Sequence, residues 1–221
     1  MLRQKTRAGL LVILLGVSCS GGEDEVVNAF LAAIQSGNEP ATRAVSVVEF
    51  LGEVVSWEIV EAGPMSTERF ALPELDDRMS ALSLERRRMT VQINTFVQEH
   101  RRAYDEYEAK RKDEPDYEFA GEMAEFQKQW EERLVKQEEK DRIAIDLGKE
   151  ISRLRSAAGL SVNVNVSAKF VGEVSEKELT LRVNDGSTDE KTHTFTLQKF
   201  NIVDASRNLS PIGRWVITDI S

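Results

Sequence analysis

Hydrophobic positions along the chain change their period several times, and each change predicts a different kind of element. Ala8–Val17 (AGLLVILLGV) is an unbroken apolar run. After it, Glu23–Gln35 places Val26, Phe30, Ala33 and Ile34 at i, i+4, i+7 and i+8, the spacing of one helix face. Glu23, Asp24 and Glu25 fall in the first turn, where the helix dipole favours acids, and Gly37 stands just beyond the end. Pro40 fits the first turn of a second short helix carrying Val45, Val48 and Leu51 on one side. Val54–Ala62 (VVSWEIVEA) then alternates, with Val55, Trp57 and Ile59 on one face, before a Gly63-Pro64 turn.

From Pro73 the period becomes seven. Leu75, Leu82, Met89, Phe96 and Ala103 form one register, and Met79, Arg86, Ile93, His100 and Tyr107 its partner. Two apolar positions per heptad describe a coiled-coil or helical-hairpin seam, interrupted here by Arg86 and His100. Pro115, within Asp113–Asp116, breaks the run. A second helix follows, with Phe119, Met123, Phe126 and Trp130 on one face and Leu147, Ile151 and Leu154 on another. At 1.5 Å per residue each arm is about 55–60 Å long. Matched arms and a four-residue connection predict an antiparallel hairpin over residues 73–158.

Alternation returns from Ser161. Val162, Val164, Val166, Ala168 and Phe170 alternate with polar residues, Leu179–Val183 reads as a second strand, and Asn184-Asp185-Gly186-Ser187 as a turn. Thr192–Phe200 is a third strand with Phe195 and Leu197 inward, and Arg214–Ile220 (RWVITDI) is the last. The expected fold is therefore α+β: residues 23–72 and 159–221 form an antiparallel sheet packed on N-terminal helices, and the hairpin is inserted between them.

Charge and cysteine usage add to this picture. Net charge is −9, and removal of Arg3, Lys5 and Arg7 with the first 18 residues takes it to −12. So acidic a chain has little attraction for phosphate backbones, which excludes nucleic acid as the expected partner. The hairpin is nearly balanced, with 20 acids against 17 bases over residues 75–158, as expected of a solvated helical surface. Cys19 is the sole cysteine, so no disulfide within the chain is open to it.

Arg3, Lys5 and Arg7, the apolar run, and then Leu15-Gly16-Val17-Ser18 before Cys19 resemble the export signal and lipobox of bacterial lipoproteins. Gly16 departs from the leucine usual three residues before the cysteine. The apolar run, about 15 Å as a helix, is half the length needed to cross a bilayer core. The resemblance implies a signal peptide over residues 1–18 and a diacylglyceryl group on the Cys19 thiol. It further implies cleavage leaving Cys19 as the new N-terminus, and a short tether over residues 19–22. Acyl chains such as palmitate would hold the protein on the extracytoplasmic side of the cell envelope, two or three being needed for durable attachment.

The helix EVVNAFLAAIQSGN, the strand SWEIVEA and the terminal hairpin TFTLQKF…GRWVITDI further resemble the nuclear transport factor 2-like superfamily. The resemblance covers Glu23–Ala62 and Val162–Ile220, about half the chain. It implies a curved, cone-like sheet around the helices and a pocket inside it. The superfamily holds isomerases, dehydratases and non-catalytic binding modules, so the fold alone selects no activity.

Catalytic signals are few. The chain has no HExxH, paired Cys/His, GxSxG or P-loop pattern, so neither a metal nor a cofactor is expected. Inward strand parity nominates Trp57, His193, Phe195, Trp215 and Asp219 as pocket residues, Asp219 being the one carboxylate that shares parity with Trp215 and Ile217. The hairpin seam nominates Leu82, Met89, Ile93, Phe96 and Tyr107 for a protein partner or for self-association. The leading expectation is a non-enzymatic, membrane-anchored binding module. A carrier of a small apolar ligand comes second, and a proton-transfer enzyme using Asp219 or His193 third.

Overall fold

The computed structural model describes residues 22–187 and 190–221. Cys19 and the expected signal peptide over residues 1–18 lie outside the described residues. The described chain is α+β, with five helices and one open antiparallel sheet of five strands.

Helix α1 (Glu23–Gln35) forms where the pattern places it and buries Val27, Phe30, Leu31 and Ala33. Gly37 ends it at φ +66°, a left-handed backbone state that glycine adopts without a Cβ penalty. Helix α2 (Glu39–Arg43) has Asn38 as its N-cap, the side chain accepting from Ala41 N at 3.2 Å. It is shorter than expected, because the chain leaves it to pair with the sheet: Ile217 N donates to Val45 O and Val47 N to Ile217 O. That bridge covers the outer edge of the last strand and turns Leu51 out to 95% exposure.

Strands β1 (Ser56–Ala62) and β2 (Ser66–Arg69) lie end to end along one partner, β3 (Val171–Asn184). Gly63-Pro64 is thus a break within one edge and not a reversal; Gly63 N still donates to Glu178 O at 2.9 Å. A second irregularity leaves Val60 without a register partner. Bulges of this kind bend a strand and blunt its edge against further pairing. Strand β4 (Lys191–Val203) pairs along the whole of β3, and β5 (Trp215–Ile220) closes the order β1-β3-β4-β5.

The expected strand over residues 162–170 does not form. Helix α5 (Glu122–Val162) runs on through Ala157, Ala158 and Val162, and ends at Asn163 in the left-handed region. Val162, Val166 and Phe170 are buried nonetheless, as a helix end and a loop pinned under the sheet. Apolar alternation marked which residues go inside but not the ladder they would join.

The sheet is covered on both faces. Phe195, Leu197, Leu179, Leu181 and Ile217 meet α1, while Phe200, Ile202, Val174 and Val216, of opposite parity, meet the base of the hairpin. The hairpin consists of α3 (Leu72–Glu99), α4 (Arg101–Asp113) and α5, joined by residues 114–121 rather than the four expected. Its base is a layer of the domain: Leu72, Leu75, Leu82, Ala144, Leu147, Ile151 and Ala158 belong to the same core as Phe200. The insertion therefore begins and ends inside the fold.

Candidate functional site

Three features stand outside the core, the distal half of the hairpin, a hollow beside its base and a smaller hollow beside α1.

Beyond Leu82 and Ala144 the apolar seam is interrupted by ion pairs. Arg86 meets Asp141 at 2.6 Å, and Lys140 meets Glu85 at 2.8 Å. Each partner of the second pair favours the charged form of the other, holding Glu85 below and Lys140 above its ordinary pKa, first through their hydrogen bond. Past this belt lies a separate core of Ile93, Phe96, Tyr107, Phe126 and Trp130. Phe96 stacks on Phe126 (centroids 5.4 Å, planes 10° apart), and Tyr104 meets Trp130 edge-on at 5.2 Å. Arg133 lies over Phe96 at 3.8 Å, and Tyr107 donates to Glu131 at 3.4 Å.

His100, at φ −112° and ψ 31°, separates α3 from α4. Its ring stacks on Phe96 at 4.3 Å and its Nδ1 lies 3.0 Å from the Phe96 carbonyl. The imidazole thus adds a second contact to a carbonyl that already accepts from the His100 backbone N–H at 3.0 Å.

Leu82, Met89, Ile93, Phe96 and Tyr107 are all used within the chain. All but Met89 are buried, and Met89 packs on the distal core. The surface left to a partner is different: Leu84 and Val91, seven residues apart on the back of α3, and Leu134 and Val135 on α5, are exposed. The heptad reading found the seam, and the residues it assigned to a partner are those the hairpin needs for itself.

The second feature is a hollow of about 440 Å³ between α5 and the sheet. Leu75, Leu154, Ala157 and Val174 form its apolar side, and Thr196, Gln198, Glu176, Glu150, Arg153 and Asp219 its polar side. Arg153 bonds Asp219 at 3.0 Å and the Thr218 carbonyl at 2.6 Å, and Gln198 donates to Glu176 at 2.8 Å. Strand parity gave no sign of Arg153 or Glu150, which arrive from a distant helix.

Of the nominated pocket residues, Phe195, Trp215 and Trp57 belong to one cluster, His193 adjoins it through Phe50, and Asp219 lies on the other face of the sheet. Register runs Leu197↔Ile217 and then Thr196↔Asp219, so Thr218 is an extra residue. This bulge turns Asp219 to the face opposite Trp215 and Ile217, against the parity expected, and sets it on the rim of the hollow. Phe195 and Trp215 are buried core. Trp57 lies at the sheet edge, its indole N–H donating to Asn28 at 2.7 Å. The His193 ring meets Phe50 at 5.1 Å. Among the described residues, no group of His, Cys, Asp and Glu is arranged to hold a metal ion, and no helix is long and apolar enough to cross a membrane.

No family model matches the chain, and no curated protein or solved structure matches it either.

Proposed function

We propose that this protein is a bacterial envelope lipoprotein, anchored on the extracytoplasmic side through Cys19, that binds another protein or envelope component with its helical arm and catalyses nothing. The observation that carries the reading is the second aromatic core. Ordering residues costs about 1–2 kcal/mol each in backbone entropy. The distal hairpin, cut off from the sheet's core by the ionic belt, returns none of that cost to the domain below it. A segment with its own core and no part in the core beneath it is accounted for by what it presents.

The test is site-specific crosslinking in native membranes. The full chain is compared with a form in which a short Gly/Ser link replaces residues 87–139. Loss of one defined crosslinked product, with the thermal transition of the sheet retained, supports the reading. An unchanged product sinks it.

The carrier reading rests on a different observation. Register shifts at Val60 and Thr218 are of the kind that curve a strand, and curvature is what the cone-like form implied by the family resemblance would need. A hollow of about 390 Å³ beside α1, with Phe30, Ile34, Val48 and Phe50 on one side and Asn38, Glu39, Thr42 and Arg43 on the other, would take a small ligand with an apolar body and a polar end. Such a ligand would alter Phe50 contacts and so perturb the His193 resonances. A proton-transfer reading has less to stand on, since Asp219 is paired with Arg153 and His193 packs on Phe50.

A further inference from the structure

We propose that the outer face of α5 pairs with the same face of a second copy of this chain, the two helices running antiparallel about a two-fold axis level with Lys140. The pairing is independent of the lipid anchor and of any other protein that the arm binds.

Glu131, Val135, Glu138, Arg142, Ile145 and Lys149 recur at alternating steps of four and three, so they line one stripe of the helix. All but Glu131 are exposed, and the stripe stays open as far as Ser156, where the helix enters the domain. Val135 is 63% and Ile145 59% exposed. Between them stand an acid and a base that nothing in their own chain satisfies: among the described residues, neither the Glu138 nor the Arg142 side chain has an ion-pair or hydrogen-bond partner. The charges that α5 turns toward α3 are treated differently, since Lys140 and Asp141 are both paired across the hairpin.

Pairing this stripe with itself has few solutions. Parallel and in register, Glu138 would meet Glu138, Arg142 would meet Arg142, and Lys149 would meet Lys149, a like-charge arrangement that disfavours contact. Antiparallel, equivalent layers align only in steps of one heptad. One alignment sets Val135 on Ile145 of the second copy and Glu138 on its Arg142, and the two-fold axis repeats both contacts. Glu131 and Lys149 meet in the next layer outward. Sliding by seven residues sets Val135 on Glu138 in one direction and on Ser152 in the other, and both apolar contacts are lost. Charge and apolar positions thus agree in a single register, and the occupant that they match residue by residue is a second copy.

Exposed ion pairs contribute little apiece, and Glu132, Glu139 and Asp146, on one shoulder of the stripe, bring acid near acid across the axis. The pairing is therefore weak and reversible, with its register set by the Glu138–Arg142 contacts. Leu84 and Val91, exposed on the back of α3, take no part in it.

The test combines disulfide crosslinking of the full chain in native membranes with sedimentation of the purified full chain. With Val135→Cys and Ile145→Cys together, oxidation is expected to give a covalent species of twice the chain mass. Val135→Cys alone should give none, because its two copies stand about 15 Å apart along the helix axis, beyond the reach of a disulfide. The unsubstituted chain is the control for Cys19. Glu138→Arg and Arg142→Glu should each weaken the dimer about ten-fold, and the two together should restore it, because the exchanged charges meet again. An unchanged thermal transition shows that these exposed substitutions leave the fold intact. A dimer crosslinked through Val135→Cys alone means parallel pairing, and a product of any other mass means that a different protein covers the face; either overturns the proposal. Charge variants that leave the dimer unchanged, a double variant that does not recover, or a chain that sediments as a monomer and gives no crosslink with the cysteine pair overturn it equally.

Discussion

The Arg153 guanidinium crosses from α5 to the last strand, meeting the Asp219 carboxylate at 3.0 Å and the Thr218 carbonyl at 2.6 Å. The carboxylate is about half exposed, so the ion pair alone is worth little, about 0.2–1 kcal/mol. The carbonyl of the bulged residue is a separate matter, since Arg153 is its side-chain partner. Asp219→Asn should therefore shift the urea midpoint only slightly, and Arg153→Ala should shift it distinctly more. Equal shifts would show that the carbonyl contact contributes nothing.

Asp204 is fully buried by the loop that it organises, accepting from Ser206 Oγ and Arg207 Nε, both at 2.6 Å. The Ser206 hydroxyl first, and then the Arg207 guanidinium, lower its pKa from the ordinary 3.8 to about 2. The folded state thus prefers the ionised carboxylate more than the unfolded state does. Its stabilising contribution is complete above the ordinary value and fades as pH falls from about 4 toward 2. Urea midpoints measured across that window should fall for the wild type. They should fall less steeply for Asp204→Asn, which begins from a lower stability.

Gly172 sits at φ +148°, and a Cβ there would lie 2.2 Å from the Asn201 carbonyl oxygen. Both the backbone state and the neighbour forbid a side chain, and neither obstacle is the end of a flexible group. Gly172→Ala should cost several kcal/mol, at the upper end of what single substitutions do. Calorimetry would show it as a large fall in Tm; a change of a degree or two would contradict the geometry.

The ionic belt separates two apolar clusters within one hairpin, so they should loosen separately. Phe126→Ala removes a stacked ring from the distal cluster and should cost that cluster about 3–5 kcal/mol. Hydrogen exchange should quicken in α4 and the first turns of α5 while β4 stays protected. Leu147→Ala, in the basal cluster, should quicken exchange in the sheet and the basal turns of α3 and α5 while the distal cluster keeps its protection. Uniform acceleration by Phe126→Ala would mean that the belt transmits what it was expected to isolate.

Helix α1 and the hairpin were legible in the sequence because their apolar spacing answers to a single partner surface. The seam positions Leu75, Leu82, Ile93 and Phe96 are buried as the heptad pattern implies. Three things were not legible. Thr218 is one unannounced extra residue, and because side chains alternate along a strand it reversed the face of Asp219. Residues 162–170 carry a strand's alternation, but the turns before them are helical and the helix extends into the segment. Arg153 and Glu150 border the hollow only because a hairpin about 80 residues long returns to the sheet beside Thr196, a closure that no local pattern encodes.

Helix α5 is uninterrupted from Glu122 to Val162, whereas the helical stretch facing it is jointed at His100. The hairpin thus has one stiff rail and one articulated rail. Force applied at the outer end is carried down the stiff rail to Ser161 and Arg153, the residues that clasp β5, while the articulated rail yields beside the aromatic stack. Whatever the tip grasps would therefore be felt as leverage on the final strand of the sheet.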